Sequence, residues 1–87
     1  MQDINSIILM ARELEVSDVH MSSGMPLLFR IHGRLTQAPV QPTKEETDAM
    51  LYGLLSGKQK EALSEGYDID FALQTSDGNR QRVNVFR

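Results

Sequence analysis

Ser17-Asp18-Val19-His20-Met21-Ser22 is the first stretch of this chain with groups able to do chemistry. On an extended strand, residues two apart share a face, so the Asp18 carboxylate can approach the His20 imidazole and raise its basicity. That is half of an acid–base device, with Ser17, Ser22 and Ser23 close enough in sequence to be weighed as nucleophiles. The serines fail the role. Ser17 shares neither face with the pair, Ser22 and Ser23 fall where Gly24-Met25-Pro26 breaks the strand, and nothing marks an oxyanion hole. The plainer expectation is that Asp18 and His20 form a polar pair that fixes the strand end against a nearby loop, with a contact to another domain as the alternative. A metal site built on His20 and His32 lacks a third ligand, since there is no His-x-x-x-His spacing and no cysteine.

The arginines are better placed. Arg30, Arg34, Arg80, Arg82 and Arg87 make up five of the nine basic residues, and all fall on expected strands or strand ends. A guanidinium keeps its charge and offers a planar fork that fits phosphate oxygens two at a time, which suits a nucleotide at a boundary between subunits. The competing expectation for Arg82 is a solvated strand arginine paired with Asp68 or Asp70 across a hairpin. No GxxxxGK[ST] loop occurs anywhere to hold the nucleotide itself.

The elements that position these residues can be read from periodicity. Ile4, Ile7, Ile8, Ala11 and Leu14 predict an amphipathic helix over about 4–15, capped by Asp3 or Asn5. A short strand over 18–21 follows, with Asp18 and His20 on one face and Val19 and Met21 on the other. Extended structure resumes at Leu27–Ile31 and reverses at His32-Gly33 into Arg34-Leu35-Thr36. Pro39 and Pro42 make the next segment a connector. Thr43-Lys44-Glu45-Glu46 is a capping box, predicting a helix over about 44–55 with Met50, Leu51, Leu54 and Leu55 inward. Ser56-Gly57 interrupts it, a short helix over 58–65 presents Ala62 and Leu63, and Gly66 closes that helix in a left-handed conformation. Ile69, Phe71 and Leu73 alternate as a half-buried strand, Asp77-Gly78 turns, and Arg80–Arg87 returns antiparallel. On that last strand Gln81, Val83 and Val85 share one face while Arg80, Arg82, Asn84 and Phe86 share the other. Met10 and Met50 read as core, and Met21 and Met25 as candidates for a contact between domains.

The order α-β-β-β-α-α-β-β predicts an α+β domain, an antiparallel sheet with helices packed against it. At 87 residues the chain is one domain, 1–87. A net charge of −3 gives no global field to attract nucleic acid or anionic lipid. The run Ile7-Ile8-Leu9-Met10-Ala11 is flanked by charge and is neither a signal peptide nor a membrane span, and the lack of cysteine fits a reducing cytoplasm. The chain reads as opening on a native initiator and as cut mid-strand at Val85-Phe86-Arg87.

Three patterns carry a family resemblance over nearly the whole chain: Ser17-Asp18-Val19-His20, then Phe29-Arg30-Ile31-His32-Gly33-Arg34-Leu35, then Arg80-Gln81-Arg82-Val83-Asn84-Val85-Phe86-Arg87. Together they resemble the start of the PilT family, the ATPases that retract type IV pili. The resemblance implies a PAS-like amino-terminal domain whose RecA-like ATPase domain, with the nucleotide-gripping loop and catalytic residues, lies beyond this chain. It implies a cytoplasmic homo-hexamer, peripheral at the inner membrane, in which this domain sits on the RecA-like domain of a neighbour and the motor acts on a pilus platform protein. ATP and magnesium are implied for the full-length protein only, with no catalysis by this piece alone. Arg82, followed by Arg80 and Arg87, is implied to approach the ATP phosphates, while Asp18, His20, Arg30 and Gly33 build or orient the domain. His32 stands where the family usually carries aspartate, a change that a turn before glycine tolerates.

Pilus-extension and type II secretion ATPases share the first two signatures. The nearness of the first helix to Met1, without their extra amino-terminal module, and the turn Ser22-Ser23-Gly24-Met25-Pro26 lean toward retraction. A stand-alone PAS-like sensor or adaptor is the reading from another class. With five Phe and Tyr and no Trp, the chain is poor in the aromatic lining that a small-molecule pocket needs.

Overall fold

Helical spacing of apolar residues at the start produces α1 (Ile4–Glu13), with Ile7, Ile8 and Ala11 turned inward. The computed structural model describes residues 3–74, 78 and 80–86. After α1 come β1 (Val16–Met21), β2 (Leu28–Ile31), β3 (Arg34–Gln37), α2 (Lys44–Leu54), α3 (Gly57–Ser64), β4 (Ile69–Gln74) and β5 (Arg80–Val85). The α+β class and the expected element order are both found.

Local signals account for the boundaries. Asp3 caps α1 by accepting the Ser6 N–H at 2.8 Å. The Thr43 hydroxyl accepts the Glu46 N–H at 3.1 Å while the Glu46 carboxylate takes the Thr43 N–H at 2.9 Å, closing the capping box of α2. Ser56 and Gln59 form a second such box, so α3 starts at Gly57, one residue before the expected boundary. Gly66, at φ +98°, ends α3, with the Tyr67 N–H bonded to the Ala62 carbonyl and the Gly66 N–H to that of Leu63. Between β2 and β3 both His32 and Gly33 have positive φ, 50° and 78°. That is the primed-turn geometry whose twist matches the flanking strands.

The five strands lie in the order β3-β2-β1-β5-β4. Three of the four adjacencies are antiparallel, but β1 and β5 at the centre run parallel, Asp18 beside Arg82 and His20 beside Asn84. This corrects the expectation of a wholly antiparallel sheet. Hairpins force antiparallel pairing only between strands close in sequence, whereas β2, β3, two helices and β4 separate β1 from β5, and a connection of that length permits either direction.

Strand β1 also starts two residues earlier than expected. Val16 pairs with Ile31 and Asp18 with Arg30, so Ser17 is an extra residue, a bulge. The bulge lets Val16 and Val19 both point inward, which breaks the alternation that would have marked the strand. The side chain of Gln81, 1% exposed, backs this bulge by donating from Nε2 to the Ser17 carbonyl at 3.3 Å.

One face of the sheet carries the core. Phe29, Val19, Met21, Val83 and Val85 pack with Ile7, Ile8, Ala11, Met50, Leu51 and Leu55, so the helices cover this side. Met10 packs against the cluster and Met50 lies within it, whereas Leu54 is only partly buried and α3 has no buried residue. Met21 is 1% exposed and so cannot be the contact between domains that its neighbourhood suggested, and only Met25 of that pair reaches the surface.

Two capped or paired carboxyls set a pH dependence. The Ser6 N–H holds the Asp3 carboxyl below its ordinary value, and the Ser23 hydroxyl, then the Lys44 ammonium, do the same for Asp48. A lowered folded pKa contributes stability above the unfolded value that is lost as pH falls through the folded one. Melting temperature is therefore expected to drop as pH falls below about 4. Asp3→Asn, which still caps, should flatten part of that slope. A titration of melting temperature for both proteins checks it.

Candidate functional site

The sheet face away from the helices carries the polar residues singled out in the sequence. Strand alternation puts Asp18, His20, Arg30, Arg80, Arg82 and Asn84 there. At its centre the Asp18 carboxylate is bracketed by two arginines from the flanking strands. Oδ1 lies 3.4 Å from Nε of Arg82 on β5, and Oδ2 lies 3.9 Å from Nε of Arg30 on β2. The Ser17 hydroxyl, set by the bulge, lies 3.2 Å from Asp18 Oδ2 and 3.1 Å from the Arg30 carbonyl, between which its one proton is shared.

The two arginines differ. Arg30 is tied down at its far end as well, its Nη1 donating to the Gly33 carbonyl at 3.3 Å, and its side chain is 39% exposed. Arg30 and Gly33 thus brace the β2–β3 hairpin. Arg82 is 74% exposed and, among the described residues, is held only at Nε. The expected partners across the hairpin are not its partners. Ala72 lies opposite Arg82 on β4, and Asp70 lies opposite Asn84. Arg80 follows on the same face and is exposed, while Arg87 lies outside the described residues, as does the Asp77 half of the expected turn.

Asp18 and His20 do not form the pair expected of them either. Each turns to its neighbour across the sheet instead. Asn84 Nδ2 donates to the Asp70 carboxylate at 2.7 Å, which leaves Asn84 Oδ1 facing His20 Nδ1 at 3.3 Å. An amide oxygen only accepts, so this contact takes a proton on His20 Nδ1, while the buried Nε2 has no hydrogen-bond partner among the described residues. Asn84 and Gln81 were not marked by the sequence as organising residues. Their signal was present only as two amides on opposite faces of an otherwise alternating strand.

A concavity lies elsewhere on the domain. A groove of about 490 Å³ between α1, α2 and β4 is lined mainly by Ile4, Ile8, Leu9, Leu54 and Leu73, with the amides of Asn5 and Gln74 at its margin. Its lining includes, among the described residues, no ionisable side chain. Among the described residues no group of three His, Cys, Asp or Glu is placed to hold a metal, and no helix is long and apolar enough to cross a membrane.

No family model matches the chain. The type IV pilus retraction ATPase PilT of Pseudomonas aeruginosa is 27% identical over 85 residues, 97% of this chain and 25% of PilT. YggR of Escherichia coli is 32% identical over the same share of each. A crystal structure of the pilus retraction motor PilT with bound ADP superposes with a TM-score of 0.71 at 33% identity, over 99% of this chain and 26% of that one.

Over nearly its whole length the chain is similar to the amino-terminal domain of the PilT-family ATPases.

The type IV pilus ATPase PilU of Pseudomonas aeruginosa extends the set, at 27% identity over 80% of this chain and 19% of PilU. The chain spans about a fifth to a quarter of the length of the curated relatives it matches.

Proposed function

We propose that this domain serves a pilus-retraction ATPase by presenting Arg82, with Arg80 beside it, to the phosphates of ATP bound in the RecA-like domain of the longer protein. The observation that carries the reading is Arg82 itself: a guanidinium 74% exposed on the helix-free face of the sheet, in a domain whose relatives are pilus ATPases. A charge-assisted fork of this kind stabilises phosphate oxygens in a site that excludes water. The ATP and its magnesium belong to the RecA-like domain, and the domain described above supplies contacts across a boundary. That boundary lies within a homo-hexamer, between this domain and the RecA-like domain of its own or a neighbouring subunit. Arg87, outside the described residues, is assigned a secondary part.

The motor works in the cytoplasm against a platform protein of the inner membrane, and its cycle drives twitching motility. That the Pseudomonas relatives are both type IV pilus ATPases, one named for retraction, supports a pilus motor over a secretion motor. Residues 1–87 alone, incubated with ATP and magnesium, should release no phosphate above a mock preparation, while the full-length protein should turn ATP over. Turnover by the 87 residues, or none by the full-length protein, would contradict the proposal.

A further inference from the structure

We infer that Asp18 is a positioning residue for Arg82, gripping the guanidinium by its Nε edge so that the Nη fork is aimed outward at the anion. The inference rests on the reading that Arg82 faces nucleotide phosphate.

A guanidinium has two edges that can pair with an anion, the side edge that includes Nε and the end edge formed by the two Nη nitrogens. A carboxylate on the end edge would occupy the atoms a phosphate needs and would compete with it. Asp18 is on the other edge, with Oδ1 3.4 Å from Arg82 Nε, and among the described residues neither Nη nitrogen of Arg82 has a partner. The contact therefore restricts the side chain while leaving its fork open. An arginine loses much rotamer freedom when it is fixed, and a neighbour that fixes it in advance removes that cost from the binding step.

The carboxylate is suited to be the fixed member. Its side chain is 20% exposed against 74% for Arg82, and the Ser17 hydroxyl and Arg30 hold its second oxygen. Its place opposite Arg82 comes from the parallel register of β1 and β5. The bulge at Ser17, backed by Gln81, brings Asp18 into line with Arg30 on the other side. Three strands thus converge on one carboxylate whose exposed client is a single arginine.

The test is a set of variants of the full-length protein, Asp18→Asn, Arg82→Ala and the double variant, assayed for ATP turnover and for melting temperature. Asp18→Asn keeps the shape and removes the charge. It is expected to lower kcat/KM for ATP by about three- to tenfold, mostly through KM, with melting temperature within a few degrees of the parent. The double variant should match Arg82→Ala, since Asp18 acts through that side chain. A merely structural Asp18 predicts additive losses and a lowered melting temperature, which would overturn the inference. So would an unchanged kcat/KM in Asp18→Asn beside a large loss in Arg82→Ala, or a kcat/KM that rises because the carboxylate had been competing with phosphate. If Arg82→Ala itself turns over ATP like the parent, the phosphate reading fails and the inference falls with it.

Discussion

Replacing Phe29 by alanine should abolish most of the domain's stability. Phe29 is 0% exposed and heads the largest fully buried side chains. It sits on β2 opposite Val19 of β1 and Thr36 of β3, within the cluster that also holds Ile7, Met21 and Val83. Removing a buried phenyl ring costs its transfer free energy plus the cavity left behind, about 3–5 kcal/mol. A domain of this size has roughly 5–10 kcal/mol in total, so the loss is a large fraction of it. Thermal denaturation followed by circular dichroism should show the midpoint lowered by roughly 15–30 °C, or no cooperative transition. Phe29→Leu should cost far less, because it keeps most of the volume. A midpoint lowered by less than about 5 °C in Phe29→Ala would mean that the core can collapse around the site and that Phe29 does not organise it.

Arg82→Ala should have the opposite signature, leaving the fold intact and impairing the motor. The side chain is 74% exposed and its one ion pair among the described residues is to Asp18, so its loss should change stability by no more than about 0.5–1 kcal/mol. In the full-length protein, deleting a charge-assisted contact to phosphate removes about 1.5–3 kcal/mol of binding or transition-state stabilisation, roughly ten- to hundredfold in kcat/KM. Arg82→Lys keeps the charge but loses the fork, and should fall between the two. Steady-state ATP turnover with a melting curve for each variant separates the effects. Parental kinetics in Arg82→Ala would remove Arg82 from the nucleotide.

Features written locally in the chain were legible before the structure. Thr43 and Glu46 announced their capping box, His32-Gly33 its turn, and Val83 and Val85 their inward face. Each depends on residues within four positions of one another. What sequence could not supply was pairing between strands 64 residues apart. Nothing near Arg82 says that β5 runs parallel to β1, and the acidic residues on the expected partner strand of the hairpin, Asp68 and Asp70, made the better local guess. The bulge at Ser17 hid the start of β1 for a related reason, since it moves Val16 inward against the period of the strand. The polar chain from Asp70 through Asn84 to His20 likewise crosses three strands, so no segment taken alone contains it.

Sequence also does not record a side chain that imitates a strand. Gln41 lies beyond β3, yet its amide accepts the Leu27 N–H at 2.7 Å and donates to the Leu27 carbonyl at 2.9 Å and the Ala38 carbonyl at 3.0 Å. It thereby satisfies backbone groups just outside the β2–β3 ladder. A connector marked only by its prolines gave no hint of this.

The most direct measurement is a structure of the full-length protein with magnesium and a non-hydrolysable ATP analogue. The account predicts an Nη nitrogen of Arg82 within about 3 Å of a phosphate oxygen, with Asp18 still on its Nε edge. An Arg82 fork left in solvent or closed onto a protein carboxylate, with the phosphates held by other groups alone, would contradict it.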